Sequence, residues 1–339
     1  MKSMEDFIQF FLKNSLKSED FKVYSLAGDA SNRRYYRVIL DNSSWVLMRW
    51  DAFDPENYPF LSVLNHFAKA GVNVPEVVAM DPKQGLVLLE DLGDLTLERK
   101  FLENQNQESS LEFYKMAVDQ IVKIHHKATA TPGNCTAFNI KFDTEKFLWE
   151  MNYGKDNLIE GVLKHKLNPH SAMQLQKIFV DICSKLDQEP KKIAHRDYHS
   201  RNLMMKLDEM KVIDFQDARL GPVQYDLVSL FRDSYVNMND EMAGTLMDYY
   251  LDCSKEFLPK DFSRAHFDEI YELQSIQRCF KACGSFASFY NLRDDSRYLK
   301  YLSGTLTRVM KSLNEFPEYK GFADILNDSG ALERKYEIL

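Results

Sequence analysis

The chain has 339 residues, of which 45% are hydrophobic and 28% charged, a composition typical of a soluble globular protein with one large domain or two lobes. Its formal net charge of −8 argues against a nucleic-acid-binding surface, and no apolar run approaches the roughly 20 residues that a membrane helix needs. The N-terminus carries acidic residues where a signal peptide would be apolar, and the odd, sparsely spaced cysteines fit a reducing compartment. We therefore expect a cytoplasmic protein with no nucleic-acid, membrane or obligate protein partner.

The first part of the chain is predicted to be rich in β-strands. Apolar residues at helical spacing predict a helix over residues 7–16, and a second helix over 60–70 ends at Gly71. Short β-prone runs bounded by turn residues predict the strands, which are 22–26, 34–40, 45–50, 77–80 and 86–90. We predict a five-stranded antiparallel sheet in an N-terminal, nucleotide-binding lobe over residues 1–93.

After residue 93 the pattern changes to long helices. Helical spacing of apolar residues predicts helices over 111–125, 144–153, 169–186, 225–233, 241–253, 263–291 and 296–313. Two short strands, 203–206 and 211–213, interrupt this series. The predicted fold class is therefore α+β, with a larger, mainly helical C-terminal lobe over residues 94–339. A ligand cleft is expected between the two lobes.

The strongest chemical signal is a loop followed by a short apolar strand. The loop reads His-Arg-Asp-Tyr-His-Ser-Arg-Asn from His195, and the strand leads through Val-Ile-Asp-Phe-Gln from Val212. Phosphoryl transfer needs a group that accepts the hydroxyl proton and oxygen ligands for Mg²⁺. We interpret Asp197 as the proton acceptor and Asn202 and Asp214 as the Mg²⁺ ligands. A turn or capping role for Asp197 is the alternative, and its spacing to the other two residues argues against it.

These segments resemble the aminoglycoside phosphotransferase and choline kinase group of the protein-kinase-like fold. Within that group the chain is most similar to bacterial cell-wall-recycling kinases that phosphorylate N-acetylmuramate and N-acetylglucosamine at the anomeric carbon. The matching segments are 28–38, 195–204, 213–218 and 221–227, with a fainter match at Gln277, Arg278 and Lys281. The resemblance implies a bilobal kinase fold with a catalytic loop and acceptor site in the C-terminal lobe. It also implies ATP as phosphate donor, Mg²⁺ as cofactor and a small-molecule sugar as acceptor.

The resemblance also indicates where the nucleotide would bind. Residues 28–33 take the phosphate-loop position, with Ser31 and Asn32 as candidate phosphate contacts, although the same segment could be an ordinary hairpin turn. Backbone groups of Glu90 and Leu92 are expected to meet the purine at the junction of the lobes. A backbone contact carries little side-chain signal, so GTP stays open as a donor.

The third strand departs from the family pattern. It carries Arg49, or the apolar Met48, where the fold usually has a phosphate-binding Lys paired with a helix Glu, and the helix over 60–70 contains no Glu. Arg is not equivalent to Lys as a phosphate ligand. We expect Arg49 to contact the nucleotide, with Mg²⁺ and the loop amides carrying more of the charge stabilisation if it does not.

The candidate acceptor-binding residues are Arg33, His199, Asp217 and Arg278. Each also has another interpretation: Asp217 could pair with Arg201 or Arg219, and His199 could be a satisfied structural histidine. Arg33 could face phosphate or be solvated, and Arg278 could be a solvated cation. Three functions follow from these observations. The first is an ATP-dependent kinase for the anomeric hydroxyl of an amino sugar. The second is a kinase for an aminoglycoside, choline or homoserine, and the third is a pseudokinase that serves as a nucleotide-binding scaffold.

Overall fold

The computed structural model describes residues 6–26, 33–104 and 107–336. The first part forms a five-stranded antiparallel sheet in the order β1-β2-β3-β5-β4. Its strands are β1 (Lys22–Ser25), β2 (Arg34–Leu40), β3 (Ser43–Arg49), β4 (Val77–Asp81) and β5 (Leu86–Glu90). This sheet confirms the prediction, and the observed strands lie within a few residues of the predicted ones.

The two faces of the sheet pack against different helices. Side chains alternate along β3, so Leu47 and Met48 are both fully buried on opposite faces. Helix α1 (Asp6–Leu16) covers the face that contains Leu47, through apolar residues such as Leu12. Helix α2 (Pro59–Lys69) and the rest of the molecule cover the face that contains Met48. Residues of β3 that lie one position apart therefore meet different surroundings.

The second part of the chain is mainly helical. Its helices are α3 (Leu97–Glu103), α4 (Leu111–Val122), α5 (Thr144–Gly154), α6 (Pro169–Gln188), α7 (Gln224–Phe231), α8 (Asp240–Ser254), α9 (Arg264–Arg293), α10 (Leu302–Leu313) and α11 (Lys320–Asp328). Turns of π-helix extend α4 over Lys123–Ala128 and α5 over Lys155–Val162. The 30-residue α9 is central, because α5, α6, α7 and α10 all pack against it.

Two small antiparallel ribbons frame the loop that follows residue 194. Strand β6 (Lys192–Ala194) pairs with β9 (Arg219–Gly221), and β7 (Leu203–Lys206) pairs with β8 (Glu209–Val212). The sequence predicted β7 and β8 but not β6 and β9, which have three residues each and no period that could be recognised. Together the ribbons hold both ends of the loop at fixed positions.

Helices α5 and α9 touch through backbone atoms at Gly154 and Gly284. A Cβ atom on Gly284 would lie 2.6 Å from the Cα atom of Gly154, which is too short for a contact between carbon atoms. Both positions therefore require glycine if the two helices are to keep this spacing. Lys281 lies one turn before Gly284 on the same helix.

Charged side chains join the sheet to the helical part. Lys206 on β7 donates to Glu90 Oε1 and to the backbone oxygen of Asp91, both at 2.8 Å. Arg37 on β2 pairs with Asp91 and with Asp94 just beyond it. The α+β, bilobal fold class is confirmed, while the boundary between residues 93 and 94 stays a prediction. Among the residues described, none of the helices combines the length and apolar character needed to span a membrane.

Candidate active site

The loop after β6 is held from below by Asp226, which is fully buried in the first turn of α7. Its carboxylate accepts hydrogen bonds from the backbone amides of His195, at 2.6 Å, and Arg196, at 2.9 Å. His125 Nε2 lies 3.2 Å from the same carboxylate, so both oxygen atoms are engaged. Arg196 takes a φ of 84°, a left-handed conformation that these bonds hold in place. The sequence predicts that Asp226 caps the helix and ties the loop down; the hydrogen bonds to His195 and Arg196 confirm the second role, whereas α7 has no side-chain cap.

The three residues that the motif selected lie together. Asn202 Nδ2 donates to the backbone oxygen of Asp197 at 2.9 Å and to Asp214 Oδ2 at 3.3 Å. Gln216 Nε2 donates to the other oxygen of Asp214 at 2.7 Å. Because the Asn202 amide nitrogen is engaged twice, its Oδ1 is the atom left to meet a cation. Asp214 has a φ of 65°, which is uncommon for a residue other than glycine.

The donor set at Asn202 and Asp214 fits Mg²⁺. One amide oxygen and one carboxylate are hard ligands, and Mg²⁺ in proteins commonly takes one or two such groups and completes its shell with water and phosphate oxygens. Within residues 6–26, 33–104 and 107–336 there is no group of three or more His, Cys, Asp or Glu side chains placed to hold an ion. The arrangement therefore suits an ion shared with a phosphate ligand more than an ion enclosed by protein.

A large cavity of about 730 Å³ opens between the sheet and the helical part. Its walls come from β2, β3 and β5, from the connection over 90–94, and from Asn202 and Asp214. We call this space the large cavity. Leu92 lines it, and within the described part of the chain the Leu92 amide donates to no protein acceptor. Glu90 also lines it, but its amide already donates to Glu76 O at 2.9 Å and its carboxylate binds Lys206.

The structure does not bring all candidate nucleotide residues into the large cavity. Ser31 and Asn32 lie outside the described residues. Arg49 lies on the α1 face of β3, with its guanidinium 5.2 Å from the centre of the Phe7 ring, and it is not part of the cavity wall. A shift of one residue along a strand reverses the direction of a side chain, so Met48, the alternative position, lies on the opposite face of β3. The cations that do line the cavity are Arg33 and Arg37.

A second, smaller space of about 140 Å³ lies beside Asp197, and we call it the small pocket. Its wall includes Asp197, His199, Tyr235, Arg278, Lys281 and Phe286. Arg278 Nη2 lies 3.8 Å and Lys281 Nζ 3.9 Å from Asp197 Oδ1, and Arg196 Nη1 lies 3.8 Å from Oδ2. Burial raises the pKa of Asp197, but the charges of Lys281, Arg196 and Arg278 outweigh burial and hold this pKa well below its usual range.

The candidate acceptor residues divide between the two spaces. His199 and Arg278 line the small pocket, whereas Arg33 and Asp217 line the large cavity. The Asp217 carboxylate pairs with Arg196 at 3.1 Å. It does not pair with Arg201 or Arg219, although Arg219 donates to the Asp217 backbone oxygen. Burial lowers the pKa of His199, whose ring packs edge-on against Tyr235. Arg278 is buried rather than solvated, and its Nε donates to Ser229 Oγ at 3.0 Å.

A kinase-like sheet and a loop that juxtaposes Asp197, Asn202 and Asp214 define a phosphotransferase. Residues 22–263 match the model of the phosphotransferase enzyme family, and the chain belongs to that family. It is 31% identical to the N-acetylmuramate/N-acetylglucosamine kinase of Neisseria meningitidis serogroup B, a match that covers 94% of this chain and 96% of that protein. The enzyme of the same name from Pseudomonas putida is 30% identical, with 85% of this chain and 81% of that protein covered.

Solved structures with little sequence identity share the fold. A choline/ethanolamine kinase family protein from Mesorhizobium loti superposes with a TM-score of 0.61 at 16% identity, covering 95% of this chain and 99% of that one. The ADP-bound aminoglycoside phosphotransferase APH(2'')-Ib gives a TM-score of 0.57 at 15% identity, covering 90% and 98%. The predicted family resemblance is thus confirmed at the levels of sequence and fold.

Proposed function

We propose that this protein is an ATP-dependent sugar kinase that phosphorylates the anomeric hydroxyl of N-acetylmuramate or N-acetylglucosamine. The observation that carries the proposal is the position of Asp197 between two spaces. Asp197 lines the small pocket, and Asn202, which lines the large cavity, donates to its backbone oxygen. A donor nucleotide in the large cavity and an acceptor in the small pocket would meet at this residue. The names of the full-length relatives support an amino sugar as acceptor.

In the proposed reaction the acceptor oxygen forms a bond to the γ-phosphorus while the bond from that phosphorus to the bridging oxygen breaks. The electron pair leaves with ADP, and the hydroxyl proton passes to Asp197. A carboxylate of depressed pKa is a weak base, so the proton moves late, which suits the loose transition state of phosphoryl transfer. The anomeric hydroxyl is more acidic than an ordinary alcohol and eases this step. When bound by Asn202 and Asp214, Mg²⁺ would neutralise charge on the phosphates.

The nucleotide would occupy the large cavity. We propose that its base meets the free amide of Leu92, while Glu90 acts through its ion pair with Lys206 and shapes the connection. Arg33 lies at the cavity wall and would face phosphate, together with Ser31 and Asn32. Arg49 has no part in this proposal because it lies on the other face of the sheet.

The charge of the small pocket bears on the choice of acceptor. Three cations, Arg232, Arg278 and Lys281, line it with two carboxylates, Asp197 and Asp233. The Asp233 carboxylate is already occupied by the amide and hydroxyl of Ser200, at 2.8 and 2.5 Å, and Arg232 is paired with Glu272. This leaves Arg278 and Lys281 against Asp197. A cationic acceptor such as choline or an aminoglycoside would therefore meet repulsion close to the reacting group. A neutral or anionic sugar would not.

Turnover with defined acceptors tests the proposal. The purified chain would be assayed for ADP release with ATP, Mg²⁺ and each of N-acetylmuramate, N-acetylglucosamine, kanamycin and choline. We expect turnover with the amino sugars, a product without a free reducing end, and phosphorus–proton coupling to the anomeric proton by NMR. Asp197→Asn should lower kcat by about 10²–10⁴, whereas Asp252→Asn on the exposed face of α8 should not. Phosphorylation at the 6-hydroxyl, or turnover only with kanamycin or choline, would contradict the proposal.

A further inference from the structure

Lys281 has an unusual setting in the small pocket. Its side chain is only 12% exposed, yet within the part of the chain that the structure describes its ammonium donates no hydrogen bond to a protein group. Burial lowers the pKa of Lys281, while Asp197 and Glu150 oppose that change. A buried ammonium that lacks a hydrogen-bond acceptor is costly unless a ligand supplies one. The pocket beside it is the place where such a ligand would lie.

Arg278 points at the same carboxylate oxygen as Lys281. Its guanidinium is fixed by the bond from Nε to Ser229 Oγ and lies 5.7 Å from the centre of the Tyr225 ring, which leaves Nη2 directed toward Asp197. The two residues are one turn apart on α9, so one helix delivers both cations to one side of Asp197. We call Arg278 and Lys281 the cation pair.

The distances from the cation pair to Asp197 show whether these residues form a closed ion pair or leave space for a ligand atom. A charge-assisted hydrogen bond that only neutralised Asp197 would close to about 2.7–2.9 Å. Here both cations stop at 3.8 and 3.9 Å from Oδ1, and no described protein group donates a hydrogen bond to the Asp197 carboxylate. An oxygen atom about 2.8 Å from both Oδ1 and the Lys281 ammonium would span the 3.9 Å gap between them. That position is the one that the reacting hydroxyl must take to pass its proton to Asp197.

We propose that Lys281 is a catalytic residue whose ammonium donates a hydrogen bond to the reacting acceptor oxygen, with Arg278 placed beside it. The inference rests on the proposed kinase function and adds a residue to its machinery. As the hydroxyl proton moves to Asp197 and the oxygen–phosphorus bond forms, negative charge on the oxygen is stabilised by an ammonium that keeps all its protons. A positioned donor of this kind is worth about 10²–10³ in kcat. It also offsets the low basicity of the carboxylate.

The competing role for the cation pair is to bind a carboxylate carried by the acceptor. The two roles differ in their dependence on the substrate, because N-acetylglucosamine is neutral and N-acetylmuramate is an acid. A residue that contacts the reacting oxygen serves both sugars through kcat. A residue that contacts the acid group serves only N-acetylmuramate, mainly through KM.

The test is the kinetics of Lys281→Met, with Lys177→Met on the exposed face of α6 as matched control. We expect Lys281→Met to lower kcat by about 10²–10³ on both sugars, with the KM for ATP changed less than about threefold. Lys281→Arg should retain more kcat than Lys281→Gln, since it keeps a charged donor. An unchanged kcat, or a loss confined to N-acetylmuramate, would overturn the inference.

Two further measurements keep the result decisive. Calorimetry with an ATP analogue shows whether the large cavity of each variant is intact. If Lys281→Met does not bind the analogue, the kcat values of Lys281→Arg and Lys281→Gln are compared instead. Equal values in these two variants overturn the inference. Failure of the proposed function has a different signature, because wild-type protein would then phosphorylate neither sugar. Normal wild-type turnover with an unaffected Lys281→Met variant would overturn the role of Lys281 alone.

Discussion

Asp197 is surrounded by more positive than negative charge, and this fixes its protonation state. Arg196, Arg278 and Lys281 all lie within 4 Å of its carboxylate. Because neighbouring positive charges hold the pKa of Asp197 well below its ordinary range, the carboxylate loses its charge only at strongly acidic pH. The proposed proton acceptor is therefore ionised throughout the neutral and mildly acidic range. Because Asp197 is fully ionised in this range, the fraction of Asp197 in its basic form does not limit the rate.

This gives a prediction for the pH dependence of the reaction. We expect kcat/KM for the acceptor to show no acid limb from Asp197 between about pH 5 and 8, since the free enzyme's base stays ionised. The measurement is a pH–rate profile of the wild type and of His199→Gln, because His199 also lines the small pocket. A limb with an apparent pKa near 6 that persists in His199→Gln would show that Asp197 titrates higher than its surroundings allow.

A second prediction compares two arginines on opposite faces of the sheet. Arg33 lines the large cavity and Arg49 lies against Phe7 of α1. Arg49→Met should leave kcat and the KM for ATP within about twofold of the wild type, as expected for a charge remote from the site. Arg33→Met should raise the KM for ATP by more than that. The opposite order in the two variants would mean that Arg49 reaches the nucleotide.

At the residue scale the sequence predicts what lies close together along the chain. Asp197, Asn202 and Asp214 were identified because one loop and one strand hold them at fixed spacing, and the structure places them in contact. The direction of Arg49 could not be predicted, because a shift of one residue in a strand reverses a side chain. Lys281 showed only a faint family match, since its meeting with Asp197 depends on how α9 packs.

At the scale of elements, the proposed catalytic loop depends on α7 and on the π-helical extension of α4. Asp226 from α7 binds two loop amides, and His125 from the extension braces the same carboxylate. His125 in turn lies 2.9 Å from the hydroxyl of Tyr250 on α8. Three helices therefore meet beneath the loop, and the conformation of the loop depends on how they pack.

Asp226→Asn tests this support. The amide can accept fewer hydrogen bonds than the carboxylate, so a buried backbone N–H should lose its acceptor, at a cost of about 1.5–3 kcal/mol. We expect lower stability in urea unfolding together with a lower kcat. Asp187→Asn is the control, because Asp187 accepts two hydrogen bonds from Thr144 and none from the loop. That variant should lose stability and keep kcat. Wild-type kcat in Asp226→Asn would show that the loop holds its shape without this carboxylate.

The long helices and the sheet were predictable because each repeats a pattern over many residues. Helix α6 was predicted over 169–186 and is observed over Pro169–Gln188, and β2 was predicted over its observed range of Arg34–Leu40. Strands β6 and β9 and helix α3 were missed, since a three-residue strand or a two-turn helix shows too little periodicity. The π-helical extension of α4 has no sequence signal that distinguishes it from a continued α-helix.

At the scale of the whole molecule, the sheet and the helical part share the two sites. The large cavity takes walls from both parts, while the small pocket is built from the helical part alone. Lys206 and Arg37 tie the connection over 90–94 to its neighbours on each side. A nucleotide bound in the large cavity would thus contact both parts at once.

Ligand binding should therefore stabilise the whole chain. At a concentration of about 100 times its Kd, a ligand adds about 2.7 kcal/mol, and a non-hydrolysable ATP analogue with Mg²⁺ should raise Tm by about 5 °C. Asp214→Ala should remove the part of this rise that depends on Mg²⁺, while Asp252→Ala should retain it. Calorimetric scans with and without Mg²⁺ provide the measurement. A rise independent of Mg²⁺ in the wild type would contradict the assignment of Asn202 and Asp214.

The contact between Gly154 and Gly284 has a meaning beyond packing. Lys281 belongs to the same helix as Gly284 and stands one turn from it, so a displacement of α9 away from α5 would carry the Lys281 ammonium with it and change its 3.9 Å distance from Asp197 Oδ1. A single methyl group at position 284 could not fit without moving the helices apart. The distance from the Lys281 ammonium to Asp197 therefore depends on how closely the two helices pack. Gly154 and Gly284 therefore help to position the Lys281 ammonium, although neither would contact a substrate.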